Sequence, residues 1–169
     1  MIKIKHNKHK VDLVLVVPIG PGSNPEYVID TITSFKFYTR STHKIILLDD
    51  SQEQISEKIQ KIIHDCDVLY TPRPLGGWAG LYINLSNAYQ HALDHYDFTV
   101  LLKMDTDALI IGAEPEKHAI SLFESNPFAG MAGQYPYAYN GELWNIRWPE
   151  QRIVNSTRSW KFFDARLLI

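Results

Sequence analysis

The chain has 169 residues, of which 45% are hydrophobic and 21% are charged. This length suits one compact domain, and the composition excludes disorder over most of the chain. Its 17 Lys and Arg residues against 19 Asp and Glu give a net charge of −2, which argues against nucleic acid as a partner. A single cysteine, Cys66, agrees with the reducing conditions of the cytoplasm.

The first ten residues form a local basic stretch, with lysines at positions 3, 5, 8 and 10. We interpret residues 1–10 as a solvated basic arm. The longest apolar run, residues 13–19, is far shorter than the ~20 residues that cross a bilayer. Asp12 interrupts the place where a signal peptide would be apolar. We therefore expect no transmembrane segment, although the basic arm leaves peripheral membrane contact open.

The first predicted elements are a buried strand and a helix. Residues 11–18 form a continuous β-branched and aliphatic run that ends at Pro18, which is typical of a strand inside a parallel sheet. A Gly-Pro-Gly-Ser loop follows at 20–23. Asn24 then offers a cap and Pro25 a first helical residue, so a helix should begin there and extend to about Tyr38.

The next two strands enclose a second helix. Residues 44–48 predict a buried strand that ends in Asp49 and Asp50. Ser51 and Gln54 then fit a capping box. Isoleucines mark one face of the helix that should follow, at positions 55, 59, 62 and 63. Residues 68–70 predict a short third strand.

A loop with two adjacent glycines, Gly76 and Gly77, leads into a third helix over about residues 81–95. Residues 98–104 predict a fourth strand, which ends in Asp105-Thr106-Asp107. A helix over 116–124 and a strand over 128–132 should come next. An aromatic-rich region then covers residues 135–148, whose rings could hold a sugar or pack in a core.

Alternation of strands and helices over about a hundred residues predicts an α/β fold with a mostly parallel central sheet and helices on both faces. In such sheets ligands gather at the carboxyl ends of the strands. Polar clusters follow all four predicted strands, after Pro18, Leu48, Tyr70 and Met104. We expect these strand ends to form one crevice.

The acids Asp105 and Asp107, one residue apart at a strand end, form a compact site of hard oxygens for Mg²⁺ or Mn²⁺. Such ions usually complete their coordination with water and substrate phosphates, which points to a phosphorylated substrate. The alternative interpretation is that either acid only caps a turn. The sequence contains neither a Gly-x-x-x-x-Gly-Lys phosphate loop nor a Gly-x-Gly-x-x-Gly fingerprint.

The second acidic pair, Asp49 and Asp50, could accept hydrogen bonds from a base or a ribose. Alternatively, Asp50 or Ser51 caps the following helix, and one acid can cap while its neighbour faces the crevice. Gly76 and Gly77 would allow the backbone to approach a ligand, or would simply form a turn before a helix.

Several of these segments resemble the nucleotide-sugar-binding half of a GT-A glycosyltransferase, most closely the family 2 group. The similar segments are residues 16–19, 47–51, 75–77 and 101–107, in the order that the family has them. The resemblance covers residues 11–112 and implies a Rossmann-like GT-A sandwich in a single domain over 1–169. Residues 113–169 would form the acceptor side, and the apolar end at 167–169 suggests a short or truncated member.

This resemblance implies that Pro18, Ile19, Asp49 and Asp50 contact the donor, with Asp49 on the nucleobase, usually uracil. It places Gly76 and Gly77 in the segment that leads to the metal motif. Asp105 would lie near the ribose and the metal, and Asp107 would bind Mn²⁺ or Mg²⁺ on the diphosphate. An acidic residue would then activate an acceptor hydroxyl and invert the anomeric centre.

The candidates for this base are Glu142 and Asp164, with Glu150 a further available acid, and their spacing selects none of them. The resemblance implies transfer from a nucleotide diphosphate sugar to a glycan, lipid or protein acceptor. One alternative is a sugar-nucleotide-binding module without transfer activity. A less favoured alternative is a phosphatase that uses Asp105 as its nucleophile, because that motif normally opens its fold and here three strand and helix units precede it.

Overall fold

The structure, a computed structural model, describes residues 8–75, 77–127, 129–134, 151–155 and 162–164. The elements within these residues follow in chain order as β1 (His9–Lys10), β2 (Leu13–Ile19), α1 (Pro25–Tyr38), β3 (His43–Asp49), α2 (Ile55–Gln60), β4 (Cys66–Tyr70), α3 (Gly77–His95), β5 (Tyr96–Asp97), β6 (Val100–Lys103), α4 (Pro115–Ser125), β7 (Ala129–Gln134), β8 (Gln151–Asn155) and β9 (Phe162–Asp164).

Seven of the described strands form one sheet in the order β4-β3-β2-β6-β9-β7-β8. The pair β7–β8 is antiparallel, and the other neighbours in this sheet are parallel. The strands β1 and β5 form a separate parallel pair. The predicted α/β class with a mostly parallel sheet, a Rossmann-like arrangement, is confirmed.

Alternate residues of the central strands pack on opposite faces of the sheet, which is why these strands are apolar throughout. Leu13, Leu15 and Val17 of β2 lie in one core, with side chains of α1, α2 and α4. Val14 and Val16 lie in the other core, with Leu85, Ala88 and Ala92 of α3. Helices therefore cover both faces of the sheet, as predicted.

The start of α1 agrees with the sequence prediction. The side chain of Asn24 accepts a hydrogen bond from the backbone N–H of Glu26 over 2.9 Å, and Pro25 is the first helical residue. The cap satisfies an N–H that the helix itself cannot, and the proline lacks an N–H to satisfy. Among the described helices, none is both long enough and apolar enough to cross a membrane.

The predicted capping box before α2 is wrong. The helix begins at Ile55, after Gln54 with a positive φ of 52° and no side-chain cap. Ser51 is not the cap because its hydroxyl accepts from the N–H of Glu53, which precedes the helix, and donates to Asp49. The helix also ends at Gln60, so Ile62 is 61% exposed and does not belong to the buried face as expected.

The described residues of the basic arm, 8–10, are exposed, and two of them pair as a strand. His9 and Lys10 pair with Tyr96 and Asp97, and the amine of Lys8 donates to the carbonyl of Leu93. Residues 1–7 and the aromatic-rich region 135–148 lie outside the described residues.

Candidate functional site

The strand order reverses between β2 and β6, because the chain proceeds from β2 through β3 to β4 and returns on the other side of β2. A crevice at the carboxyl ends of the strands is expected at such a reversal, and it is where ligands bind in open α/β sheets. In the parallel register Val16 lies beside Lys103. Counting two residues further along both strands places Asp105 opposite Pro18.

The ends of β2, β3 and β4 are held level by backbone hydrogen bonds. The N–H of Asp50 donates to Ile19 over 2.8 Å, and the N–H of Thr71 donates to Asp49 over 3.1 Å. The polar segments that follow these strands and β6 therefore share one edge of the sheet, as the sequence predicted.

A pocket of about 200 Å³ opens at this edge, between the ends of β2 and β3 and the beginning of α3. The lining side chains are mostly apolar and include Pro18, Ile19, Leu48 and Leu81. The polar ones are Asp50 and Asn84. A pocket with apolar walls and a few polar groups is suited to a flat ring with a polar edge.

The turn at residues 20–23 forms one rim of the pocket. The N–H of Ser23 donates to the carbonyl of Gly20 over 3.2 Å, and the hydroxyl of Ser23 accepts from the N–H of Gly20 over 3.1 Å. Gly22 has a φ of 78°, a conformation that side chains rarely adopt, and follows Pro21. This is the sequence signature of a type II turn, and it places Gly20 and Pro21 beside the ligand space.

Asp49 is turned into the protein rather than toward the pocket. It is 2% exposed, and its Oδ1 accepts from the N–H and hydroxyl of Ser51, while its Oδ2 accepts from those of Ser56. Burial opposes its ionisation, but these four hydrogen bonds outweigh burial and hold the pKa of Asp49 below its usual range. The nucleobase contact expected of Asp49 therefore has no free oxygen to supply it.

Asp50 lines the pocket instead. Its Oδ1 accepts hydrogen bonds from the hydroxyl of Thr71 and, over 3.4 Å, from the N–H of Leu75. Its Oδ2 makes no hydrogen bond with any residue that the structure describes. Of the two adjacent acids, Asp49 organises the backbone and Asp50 faces the ligand space.

Asp105 and Asp107 lie on a tight turn directly after β6. The N–H of Ala108 donates to the carbonyl of Asp105 over 3.2 Å, and the hydroxyl of Thr31 on α1 donates to the carbonyl of Thr106 over 3.0 Å. The side chain of Asp105 is 41% exposed, and Asp107 is exposed. The turn therefore presents both carboxylates at the edge of the sheet.

The buried residue Lys103 pairs with this acidic turn. Its side chain is 2% exposed, and its amine donates to Oδ1 of Asp105 over 2.5 Å. A buried ammonium needs such a partner, because an unpaired buried charge is strongly unfavourable. The pairing fixes the Asp105 carboxylate and offsets part of the negative charge of the pair.

The carboxylates of Asp105 and Asp107 fit the divalent cation that the resemblance implies. Carboxylate oxygens are the ligands that suit Mg²⁺ and Mn²⁺. In the described part of the chain no group of three His, Cys, Asp or Glu side chains could hold a metal. A cation on Asp105 and Asp107 would accordingly complete its shell with water and ligand phosphates.

The remaining predicted site residues have different positions. Gly77 is the first residue of α3, whereas Gly76 and Glu142 lie outside the described residues. Asp164 is the last residue of β9, paired in register with Lys103. Its backbone is therefore at the same edge of the sheet as the acidic turn, on the neighbouring strand.

Three further residues of the site were missed at the level of sequence. Lys103 is the lone charge in an apolar strand, Asn84 is a polar residue on the buried stripe of α3, and Gly80 packs against the loop before this helix. The first two could have been detected, because a polar residue at an apolar position requires a reason.

Comparison of the chain with protein-family models, with curated proteins and with solved structures found no match.

Proposed function

We propose that this protein is a metal-dependent glycosyltransferase that transfers a sugar from a nucleotide diphosphate sugar, UDP-linked, to an acceptor hydroxyl. The observation that carries the proposal is that two features share one edge of the sheet, at the strand-order reversal. One is the pocket lined by Asp50, and the other is the turn that bears Asp105 and Asp107. A ligand with a flat base and a diphosphate would use both features.

The size and polarity of the pocket support a base as its occupant. At about 200 Å³ the pocket is smaller than the roughly 300 Å³ at which sites for whole ligands begin, so it suits one ring. Asp50 offers a carboxylate, which only accepts hydrogen bonds when ionised. Uracil presents a ring N–H to such a group, whereas cytosine and adenine present an acceptor at the corresponding edge.

The acidic turn would hold the diphosphate through a cation. Asp107 and Asp105 would bind Mn²⁺ or Mg²⁺, which when bound neutralises charge on the departing nucleoside diphosphate. Lys103 orients Asp105 from within the sheet, and the turn is anchored to α1 through Thr31. Both contacts reduce the freedom of the carboxylate before a ligand arrives, which favours binding.

Strand register supports Asp164 as the base that deprotonates the acceptor hydroxyl. Asp164 ends β9 at the edge where the acidic turn lies, one strand from β6. A general base must come within hydrogen-bond reach of the hydroxyl that it activates, and this edge is where the anomeric carbon would lie. Transfer by direct attack of that hydroxyl would invert the anomeric centre.

We propose the acceptor only as a chemical class: the hydroxyl of a glycan, lipid or protein. We also propose a cytoplasmic location, supported by the lone buried cysteine, Cys66.

The proposal is tested by incubating the chain with a panel of UDP-sugars, Mn²⁺ and acceptor hydroxyls and measuring the release of UDP. We expect release by the native chain and a loss of about 10²–10⁴-fold in Asp164→Asn, because the amide cannot take a proton from the acceptor. The variant should still bind UDP as the native chain does. UDP binding without release on every acceptor would instead indicate a sugar-nucleotide-binding module.

A further inference from the structure

Asn84 is a buried polar residue for which the fold itself has no use. It lies on the side of α3 that faces the sheet, among Leu85, Ala88 and Ala92, and it is 2% exposed. Its Oδ1 is buried and has no hydrogen-bond partner among the described residues. An amide oxygen buried without a protein partner lowers stability, and it remains available to a ligand that enters beside it.

The position of Asn84 points to contact with a ligand. Asn84 lines the same pocket as Asp50, and these two are the polar side chains among the described lining residues. The backbone of the rim has little to add, because Pro18 and Pro21 have no N–H and the N–H of Gly20 is bonded to Ser23. Among the described lining residues, Asp50 and Asn84 therefore offer the polar side-chain contacts to a ring in this pocket.

We propose that Asn84 is a ligand-binding residue that reads the edge of the nucleobase beside the N–H held by Asp50. This inference rests on the proposed function. An amide carries both a donor and an acceptor, and a half-turn of its plane exchanges them. Asn84 can thus donate to the carbonyl that adjoins the ring N–H of uracil, while Asp50 accepts from that N–H.

This arrangement selects bases that carry a ring N–H next to a carbonyl, which cytosine and adenine lack. Guanine carries such an N–H too, but its two fused rings exceed the single ring that a pocket of about 200 Å³ suits. Uracil has its ring N–H between two carbonyls, so Asp50 and Asn84 are both satisfied by one edge. Cytosine has a ring acceptor at that position, which would face the carboxylate of Asp50 and leave it unpaired. A site built for a particular hydrogen bond rejects an analogue that lacks it, because the buried polar group is then unsatisfied.

A purely structural role for Asn84 would have the opposite signature. A structural amide would be bonded inside the protein, and its replacement by an apolar side chain of similar size would destabilise the fold. A ligand-reading amide lacks an internal partner, so the same replacement should preserve or raise stability and weaken binding.

The test compares the native chain with Asn84→Leu and with Gln90→Leu, an exposed amide on the same helix that does not line the pocket. Calorimetric titrations with UDP and CDP, in Mn²⁺, are paired with thermal melting. We expect Asn84→Leu to bind UDP about tenfold more weakly, to discriminate less between UDP and CDP, and to melt no lower than the native chain. Gln90→Leu should bind as the native chain does.

Unchanged UDP binding by Asn84→Leu would overturn the inference and leave the proposed function intact. A melting temperature that falls together with binding would assign Asn84 a structural role and overturn it too. If the leucine variant does not fold, Asn84→Ala decides by the same two measurements. A native chain that binds neither UDP nor CDP overturns both this inference and the proposed function, a result distinct from the first.

Discussion

At the residue scale, the two adjacent acids Asp49 and Asp50 have opposite surroundings. All four hydrogen bonds to Asp49 come from Ser51 and Ser56, two of them from backbone N–H groups. The sequence indicated that one acid could cap while the other faces the crevice, but it could not say which. That assignment depends on the path of residues 51–54, where Gln52 and Gln54 both have positive φ.

Asp49→Asn should destabilise the fold, since an amide nitrogen would replace one of the two accepting oxygens. We expect a loss of about 2 kcal/mol in the free energy of unfolding at pH 7. Because the pKa of Asp49 is lowered on folding, its carboxylate stabilises the native state above the unfolded pKa of about 3.9. This contribution is lost as the pH falls through the lower, folded pKa, so the variant and the native chain should converge there.

Urea unfolding at pH 7 and at steps below pH 4 measures this difference. Asp65→Asn is the control, because its carboxylate is 78% exposed and its ion pair with Lys44 should contribute under about 1 kcal/mol. A gap between Asp49→Asn and the native chain that stays constant down to the lowest pH would contradict the account.

At the element scale, the junction between the loop at 71–75 and α3 depends on the absence of a side chain at Gly80. A Cβ placed there would lie 2.7 Å from both the carbonyl carbon and the Cβ of Leu75. The N–H of that same leucine donates to Asp50, so the packing of the helix against the loop reaches the pocket. The sequence analysis singled out Gly76 and Gly77, whereas the glycine that lets the helix pack closely on the loop is Gly80, one turn later.

Gly80→Ala should therefore force Leu75 to move, which we expect to cost about 1–3 kcal/mol in the free energy of unfolding and to weaken UDP binding. Alanine normally favours a helix over glycine by about 1 kcal/mol, so a destabilising result would identify the steric cause. Gly112→Ala is the matched control, since nothing lies within 4 Å of its added Cβ. Equal stability and binding in both variants would refute this role of Gly80.

At the scale of the whole molecule, the periodicity of apolar residues predicted the α/β class and the presence of helices on both faces of the sheet. The strand β2 is buried on both faces, and continuous apolar runs predict such strands directly. Helix ends were predicted where a local cap exists, as at Asn24. The start of α2 was missed, because the carboxylate of Asp49, seven residues earlier in the chain, accepts from the N–H of Ser56 in its first turn.

The convergence of the strand ends was also predicted, but the strand order was not. Whether β6 lies beside β2 or beside β4 depends on long-range pairing that local patterns do not encode. The order positions the proposed site, because the reversal between β2 and β6 places the acidic turn at the same edge of the sheet as the pocket. Asp50 and Asp105 follow strands that share one edge of the sheet only through this pairing.

The central claim is that this edge of the sheet binds a nucleoside diphosphate through a divalent cation on Asp105 and Asp107. The most direct measurement is a calorimetric titration of UDP with and without Mn²⁺, on the native chain, Asp107→Asn and Asp94→Asn, an exposed carboxylate near the far end of α3. The account predicts Mn²⁺-dependent binding that is retained in Asp94→Asn and weakened at least about tenfold in Asp107→Asn. Absence of binding, or equal affinity without the cation and in both variants, would contradict it.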